Sequence, residues 1–338
     1  MDDNARRDRR LSPFIEVTAP WDLVPGSSAA EHVRGWWERA RHVYPANTLR
    51  AWRADWTAFL RFCTAQSHAP LPARPASVAE FVARCQLEGK KPATVRRYLA
   101  TIALAHRVAK LESPVVDEAV QLAMKGFTSE VSVRQRQAHP LGWADIKQYL
   151  DIAGSSLREI RDCALLCVAY DTMARRSELV ALTYDDIERL PDGTARALIR
   201  RSKTDQAGQG QQAYLYRQTV RQLLRWTATA AITEGALFRG LRGAHQLGNR
   251  LHVGSVGDTY KRAAAAIGMP KEQIDGISGH SIRVGAAQDL LALNIDLASV
   301  MQAGRWKSAR MPMRYGEHVL AARGGMARAA AAQGRDGD

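Results

Sequence analysis

The sequence predicts a mainly helical α+β protein with a small β-sheet, divided into two domains. At 338 residues the chain is long for one hydrophobic core, so two domains are expected. Apolar residues recur at helical spacing through most of the chain. The best strand pattern lies at residues 195–202, and a second short run at 213–216 follows a turn-rich segment, which predicts one hairpin.

The charge balance favours a polyanionic partner. The chain has 48 Lys and Arg residues against 34 Asp and Glu residues, a formal net charge of +14. An excess of this size on a folded chain suggests nucleic acid rather than a membrane surface. A GC-rich genome also enriches arginine and alanine, so composition alone leaves that second explanation open.

The cysteines and the amino-terminal residues indicate a cytoplasmic protein without a metal site. Cys63, Cys85, Cys163 and Cys167 form no C-x-x-C pair and lack the closely spaced partners that a zinc site needs. They are most simply small core residues. No segment is long and apolar enough to span a bilayer. Residues 1–20 are predicted to be a flexible basic tail rather than a signal peptide.

Residues 21–130 are predicted to form a bundle of four or five helices. The second helix is expected to be capped by Asn47 or Thr48, the third by Ser77, and the fourth to begin at Thr94.

Helix starts that carry arginine bind phosphate well, so basic and hydroxyl residues near them are candidate DNA contacts. Together with two arginines of a predicted linker at residues 131–140, this set is Thr48, Arg50, Arg53, Lys91, Thr94, Arg96, Arg97, Arg134 and Arg136. The alternative is that these side chains form ordinary solvated helix faces.

Residues 141–338 are predicted to form the second domain. A strongly apolar run at residues 157–170 indicates a buried central helix, and the predicted hairpin follows it. Residues 240–251 are rich in glycine and are expected to be irregular. Residues 318–333 are rich in alanine and are expected to form one helix.

Residues 279–315 concentrate side chains that suit chemistry on a phosphodiester. Arg283 offers a planar fork of donors for phosphate oxygens. His280 can hold or move a proton near neutral pH. Tyr315 can attack phosphorus and stay attached, which divides one difficult step into two reversible ones. Trp306 lies nine residues before this tyrosine.

Two earlier motifs complete a pattern that resembles the tyrosine recombinase (phage integrase) family, most closely its Cre-type members. Arg175 stands in A-R-R-S-E-L and Lys203 in R-S-K-T-D, ahead of G-H-S-I-R-V-G-A-A, M-Q-A-G-R-W and the nine-residue interval to the tyrosine. The resemblance spans the whole second domain. It implies a helical core-binding domain followed by a catalytic domain.

The resemblance implies a role for each catalytic residue. Arg175 and Arg283 would clamp the phosphate oxygens that gain negative charge as a fifth ligand arrives. His280 would hydrogen-bond the same phosphate and assist proton transfer from Tyr315, which forms a 3′-phosphotyrosine. Lys203, in the hairpin tip, would protonate the leaving 5′-hydroxyl. The family needs no metal or other cofactor for this reaction.

Two further residues have supporting roles, and three assignments have rivals. Trp306 would donate its indole N–H to the phosphate, and Glu178 would orient histidine or arginine groups. Arg176 is an alternative to Arg175, and Arg201 is an alternative to Lys203. Tyr260 is a rival nucleophile, although its position inside another helix favours packing.

Two departures from the family pattern are visible. Arg305 stands where the family more often has a small or neutral residue before the tryptophan, and it is predicted to add a cation that strengthens DNA binding. Residues 240–254 match the family poorly and show no arginine where a base-reading helix is expected, so the target sequence does not follow from the chain.

The function that the resemblance implies is site-specific recombination of double-stranded DNA by a homotetramer on two DNA sites. The free protein is expected to be a monomer or weak oligomer in the bacterial cytoplasm, associated with the nucleoid. The helix at residues 318–333 would dock on a neighbouring protomer through Val319, Leu320 and Met326. The alternatives are an enzyme like type IB topoisomerases or telomere resolvases, or a catalytically silent DNA-binding regulator on the same fold.

Overall fold

The computed structural model describes residues 28–130, 137–200, 210–243 and 246–335. The chain forms two compact units that divide between residues 135 and 136. Both units are built mainly of α-helices, and the second also carries two small antiparallel sheets. The predicted fold class, mainly α with a small β component, is confirmed.

The first unit is a helix bundle. Its elements are α1 (Ser28–Val43), α2 (Ala46–Ala65), α3 (Pro75–Leu87), α4 (Pro92–Val108), a 3₁₀ turn (Pro114–Val116) and α5 (Glu118–Glu130). Trp56, Phe59 and Phe81 are among the side chains that fill its core. Cys63 and Cys85 lie in the same core as free thiols, and burial raises the pKa of each to about 11. These thiols are inert core residues, as predicted.

Three helices of this bundle begin at or beside a proline, earlier than predicted. α2 follows Pro45, while α3 and α4 begin at Pro75 and Pro92. Proline has no amide hydrogen to leave unpaired at a helix start, and its fixed φ suits the first turn. The residues predicted at the helix starts lie inside these first turns: Asn47, Thr48, Ser77 and Thr94.

The second unit is built around α7. Its elements are α6 (Trp143–Ile152), α7 (Leu157–Thr172), α8 (Arg176–Ala181), a 3₁₀ turn (Tyr184–Asp186), β1 (Ile187–Arg189), β2 (Ala195–Ile199), β3 (Gln211–Leu215), α9 (Arg217–Thr229), β4 (Arg239–Arg242), β5 (Gln246–Arg250), α10 (Ser255–Ala266), α11 (Lys271–Gly276), α12 (Ser281–Ala292), α13 (Leu297–Gly304), α14 (Arg310–Tyr315), α15 (Glu317–Ala322) and α16 (Gly325–Ala332). Every residue from 160 to 169 is buried, so α7 is the predicted central helix. Cys163 and Cys167 are free thiols within it.

The ends of α7 are well defined. The Ser156 hydroxyl accepts a hydrogen bond from the Glu159 amide, and the Glu159 carboxylate accepts one from the Ser156 amide, which forms a capping box. The helix ends at Met173, whose φ of 47° lies in the left-handed region. This reversal turns the chain directly into α8 and brings Arg175 beside the end of α7.

The predicted hairpin is present as β2 and β3. They pair antiparallel from Ala195 opposite Leu215 to Ile199 opposite Gln211. β1 adds a third strand along β2. Because β1 has only three residues, it is too short to show an alternating pattern in the sequence. The hairpin tip, residues 201–209, lies outside the described residues.

A second hairpin, β4 and β5, corrects the expectation that residues 240–251 are irregular. The strands pair antiparallel, and Gly243 with φ of 63° follows β4. A Cβ built on Gly248 would lie 3.1 Å from the carbonyl oxygen of Gly240, so the two backbones approach closely. The glycines that suggested a loop therefore permit a close strand pair.

The carboxyl-terminal segment is two short helices rather than the single helix predicted at residues 318–333. α15 ends at Ala322 and α16 begins at Gly325. Gly324 and Gly325 disfavour a continuous helix. The Arg323 side chain donates to the carbonyl oxygen of Ala292, which ties the break to the end of α12. None of the residues of α16 is buried.

Two features are absent from the described ranges. None of their helices is both long enough and apolar enough to cross a membrane. The same ranges contain no group of three or more His, Cys, Asp or Glu side chains arranged to hold a metal ion.

Candidate active site

The C-terminal end of α7 is surrounded by side chains that the sequence predicts to be catalytic. Each is placed by a helix terminus: Arg175 caps α8, His280 precedes α12, Arg283 lies in the first turn of α12, Trp306 follows α13, and Tyr315 ends α14. The same region contains a small apolar cluster formed by Met173 and two alanines of α12, against which Trp306 and Tyr315 pack.

Arg175 is held by Glu178 from the first turn of α8. Its Nη1 donates to Glu178 Oε1 over 2.6 Å, and its backbone N–H donates to Glu178 Oε2 over 3.0 Å. Burial alone would raise the pKa of Glu178. The hydrogen bonds from Arg175 and the charges of Arg305 and Arg175 outweigh burial and hold that pKa below its ordinary value. Glu178 is therefore an anion that holds the Arg175 side chain.

Arg305 is buried beside Glu178, which corrects its predicted role as a DNA contact. Only 7% of its surface is exposed. Its Nη2 donates to Glu178 Oε2 over 2.8 Å, and its Nη1 donates to the carbonyl oxygen of Thr172 over 2.7 Å. The sequence shows a cation before the tryptophan but does not show whether its side chain points inward.

Arg283 is a buried cation supported by the ends of two helices. Its Nη1 donates to the carbonyl oxygen of Met173 and its Nη2 to that of Gly304, where α7 and α13 end. Helix C-termini carry partial negative charge, which favours a cation there. Burial, followed by the positive charges of Arg175 and Arg305, lowers the pKa of Arg283 to about 9. The group therefore stays protonated at neutral pH.

Arg283 is buried, and its two helix-terminal contacts leave part of its set of donors unused. The guanidinium group has five N–H donors, and the two carbonyl oxygens do not use all of them. The carbonyl contacts fix the plane of the group, so the remaining donors are oriented before any ligand arrives.

His280 lies at the exposed edge of the site. Its pKa is lowered by the removal of water around the ring and by the positive charges of Arg283, Arg176 and Arg175. The imidazole is therefore neutral at physiological pH, with one nitrogen able to donate and the other able to accept. Its backbone N–H donates to the Ser278 hydroxyl over 3.2 Å, which fixes the turn into α12.

Trp306 links the arginine cluster to the tyrosine. Its ring centroid lies 5.9 Å from that of Tyr315, with an interplanar angle of 70°. Gln288 of α12 donates to the carbonyl oxygen of Tyr315 over 2.9 Å. Gly304 allows this packing, because a Cβ at that position would overlap the indole ring. Tyr315 is thus held against α12 and Trp306, with its ring only partly buried.

The structure separates some of the rival assignments. Arg176 is exposed and its side chain packs over Gly279, whereas Arg175 is held in the arginine cluster. Tyr260 is buried inside α10, and burial raises its pKa, so it is a packing residue rather than a nucleophile. Lys203 and Arg201 both lie outside the described residues. The choice of Lys203 over Arg201 as the proton donor therefore stays a prediction.

The predicted DNA contacts of the first unit lie in the N-terminal parts of α2 and α4 or just before α4. Arg50, Lys91 and Arg96 are exposed. Arg97 is exposed over 52% of its side chain, yet its Nη2 lies 2.8 Å from Oδ1 of buried Asp55 in α2. Thr48 and Thr94 are half-buried in the first turns of these helices, as is Arg53 farther along α2. Arg134 and Arg136 lie outside the described residues.

Sequence reasoning missed the support that surrounds the arginines. Met173 supplies its carbonyl oxygen to both Arg283 and Arg305 because its backbone is left-handed. A methionine carries no sequence signal for that conformation, which is usual for glycine or asparagine. Gln288 likewise carries no sequence signal for its role, because its hydrogen bond to the carbonyl oxygen of Tyr315 is visible only in the structure.

Comparison with known proteins gives one family for the second unit and for most of the chain. The model of the phage integrase family matches residues 141–321. An integrase/recombinase XerD homolog of Selenomonas ruminantium is 30% identical over 280 residues, which cover 80% of this chain and 81% of that protein. The recombinase Cre of Escherichia phage P1 is 26% identical over 306 residues, covering 86% and 89%.

Solved structures share the fold. A post-cleavage complex of XerH site-specific recombinase bound to palindromic difH substrate aligns with a TM-score of 0.58 at 17% identity. The alignment covers 88% of this chain and 84% of that chain.

Proposed function

Since the chain belongs to the phage integrase family, whose tyrosine recombinases cleave and rejoin DNA in site-specific recombination, we propose that Tyr315 is its nucleophile. The observation that carries this proposal is the position of Tyr315 against Trp306, which itself lies on the guanidinium group of Arg283. A nucleophile and a cation for the phosphate are thereby joined through one indole ring.

The proposed step is an attack of the Tyr315 oxygen on a phosphodiester. A bond forms between that oxygen and phosphorus, and the bond from phosphorus to the 5′-oxygen breaks, which leaves a 3′-phosphotyrosine and a 5′-hydroxyl. His280, whose pKa is lowered by loss of water around the ring and by its arginine neighbours, accepts the tyrosine proton. Lys203 gives a proton to the departing 5′-oxygen. A 5′-hydroxyl from another strand reverses these transfers and reseals the DNA without ATP.

The arginine cluster supplies the stabilisation of the transition state in this proposal. Arg175 and Arg283 bind the non-bridging oxygens, where negative charge grows as the tyrosine oxygen attacks. Their orientation is set beforehand, by Glu178 in one case and by two helix-terminal carbonyl oxygens in the other. The site therefore needs little rearrangement at the moment of reaction.

We propose that the partner is double-stranded DNA and that four protomers hold two DNA sites together. The relatives that match most of this chain are a recombinase and an integrase/recombinase homolog, and strand exchange requires two duplexes. The exposed residues at the starts of α2 and α4 are proposed phosphate contacts. Work on such DNA would place the protein in the cytoplasm, at the nucleoid.

The C-terminal helices are proposed to join the protomers. Met326 of α16 is 74% exposed, and α16 has no buried residue in the single chain. A groove in the second unit is lined by Trp143, Tyr170, Ala292 and other residues, and it would receive α16 of a second copy. Val319 and Leu320 on α15 would extend the same contact.

The test of the nucleophile uses DNA that flanks the coding sequence of the protein, cut into fragments with a nick beside each candidate site. The nick lets the short product diffuse away, so the covalent adduct accumulates. Wild type should form an adduct at the 3′ end of the cleaved strand, and Tyr315→Phe should bind the same fragment without forming one. Tyr260→Phe is the matched control and should form the adduct. An adduct in the Tyr315→Phe protein would overturn the assignment.

A further inference from the structure

Arg305 has an unusual backbone for an arginine. It ends α13 with φ of 54° and ψ of 46°, a left-handed conformation that glycine adopts most easily. Among the described residues, the other left-handed positions occupied by side chains are Ser67, Lys110, Met173, Ala231 and Asn294. Only Met173 and Arg305 of that group are buried, and they contact each other. A side chain kept in such a position points to a function for it.

The contacts of Arg305 converge on the turn that carries Arg175. One end of its guanidinium group binds Glu178, and the other binds the carbonyl oxygen of Thr172 at the end of α7. Its Nη2 also lies 3.5 Å from the carbonyl oxygen of Met173. Arg305 therefore fastens the last turn of α7 to the first turn of α8, on both sides of Arg175.

The charges give Arg305 a second effect. Glu178 is a buried carboxylate that pairs with Arg175 through Oε1 and with Arg305 through Oε2. If Arg305 were absent, the only side-chain cation paired with Glu178 in the described part of the chain would be Arg175. The positive charge of Arg175 would then be largely cancelled before a phosphate arrives. With Arg305 present, two cations share one anion.

We propose that Arg305 is a positioning residue for the proposed cleavage reaction. Arg305 neutralises Glu178 and fixes the turn that carries Arg175, so that Arg175 stays available to the phosphate. This inference rests on the proposed function. In this role Arg305 acts through Glu178 and Arg175 and does not contact the DNA itself.

The test takes advantage of the left-handed backbone. Arg305→Gly removes the side chain and at the same time relieves the backbone, so the variant is expected to fold. Ala231→Gly is the matched control, because it relieves an exposed left-handed residue far along the chain from the site. We expect adduct formation by Arg305→Gly at saturating DNA to be slower by about 10- to 100-fold, with DNA affinity little changed. Ala231→Gly should react like wild type.

Free guanidinium separates a positioning role from a merely structural one. A cavity of about 320 Å³, lined by Gln302, Arg305, Trp306 and others, adjoins the position of the lost side chain. Guanidinium ion at tens of millimolar should enter and restore much of the rate of Arg305→Gly. Urea, which has a similar size and no charge, should not. Neither compound should accelerate the wild-type protein.

Each outcome decides between the alternatives. A wild-type rate in Arg305→Gly overturns the inference, as does a slow variant that guanidinium leaves slow. If Arg305→Gly has a lowered melting temperature, the rate comparison moves to Arg305→Lys. That variant keeps one charge and should react faster than Arg305→Met, and equal rates would overturn the inference. Failure of the wild-type protein to form any adduct would instead refute the proposed function.

Discussion

The guanidinium carbon of Arg283 lies 4.3 Å from the centroid of the Trp306 ring, in a cation–π contact at the centre of the candidate site. The same indole ring also packs against Tyr315, with ring centroids 5.9 Å apart. One aromatic side chain therefore fixes the distance between the proposed phosphate clamp and the proposed nucleophile. The nine-residue interval from Trp306 to Tyr315 lets these two rings pack together, and α14 forms the last part of that interval.

Replacing Trp306 should slow cleavage through this double contact. A cation–π contact in a desolvated site is worth about 2 kcal/mol, so Trp306→Ala should reduce the rate of adduct formation by ~30-fold or more. Trp306→Phe keeps an aromatic face for Arg283 and should lose less. The measurement is the single-turnover rate of adduct formation at saturating DNA. Equal rates for Phe and Ala would show that the ring face does not support Arg283.

Gly304 should be intolerant of any side chain for the same reason. A Cβ there would overlap the Trp306 ring, so Gly304→Ala should displace the indole and slow adduct formation by about 10-fold or more. Gly126→Ala in α5 is the control, since a Cβ there meets nothing within 4 Å. Both changes improve helix propensity, and Gly126→Ala should gain about 0.5–1 kcal/mol of stability. A Gly304→Ala protein as active as wild type would contradict the packing argument.

The sequence predicts the candidate catalytic side chains but not the groups that support them. His280, Arg283, Trp306 and Tyr315 belong to short continuous motifs, and the residue types themselves indicate phosphodiester chemistry. The direction of Arg305 depends on a left-handed backbone at a position where most residues would be helical or extended. Sequence pattern does not indicate that conformation, because the contacts of Arg305 with Glu178 and with the end of α7 form only in the folded chain.

The same reasoning explains the errors in the secondary structure. Glycines at residues 240–251 indicate a loop, yet two of them permit β4 and β5 to approach closely. Prolines at residues 45, 75 and 92 start helices earlier than the polar residues that follow them. Glycine occurs both in loops and in closely paired strands, and proline both ends and begins helices. The surrounding chain decides which of these structures forms.

The rate of adduct formation should fall in acid as His280 becomes protonated. The groups around this ring are Arg283, Arg176, Arg175 and Glu178, and the pKa of His280 is lowered from its ordinary 6.5. A protonated imidazole has no free lone pair to accept the tyrosine proton. The rate should therefore stay constant around neutral pH and decline only below pH 6.5.

Arg176→Met provides the control for this pH dependence. It removes one of the positive charges that lower the pKa of His280, so that pKa should rise and the acid decline should begin at higher pH. The rate at high pH should change little, since Arg176 is exposed and outside the proposed clamp. An acid decline at the same pH in both proteins would show that another group controls it.

Arg96 and Arg97 should differ although they are neighbours in α4. Arg97 pairs with Asp55, a buried carboxylate whose pKa is raised by burial and partly lowered again by Arg97 and Thr101. Arg97→Ala should therefore lower the free energy of unfolding by about 1–3 kcal/mol, because it leaves a buried charge without its cation. Urea denaturation of the two variants measures this difference.

Arg96→Ala tests DNA binding without that effect on stability. Arg96 is exposed, so its removal should leave the unfolding free energy unchanged within about 0.5 kcal/mol. If Arg96 binds a phosphate, DNA affinity should fall and the slope of log affinity against log salt should decrease by about 1. An unchanged salt slope would remove Arg96 from the set of DNA contacts and leave it as a solvated residue.

Removing α16 should separate cleavage from assembly. Because α16 has no buried residue, a chain that stops after Gly324 should fold and melt like the full chain. It should also bind a single DNA site and form the Tyr315 adduct there at close to the full rate. The shortened chain should no longer hold two DNA sites in one complex, because α16 can no longer contact the groove at Trp143 and Tyr170 of a second protomer.

The assembly is measured by native gel or mass photometry with DNA of two lengths, which distinguishes one bound site from two. Met326→Glu is the matched point variant, since it places a charge at the large apolar side chain that α16 exposes. It should weaken pairing of sites and leave single-site binding intact. Pairing that survives both changes would mean that the protomers are held together by another surface, and α16 would have no part in recombination.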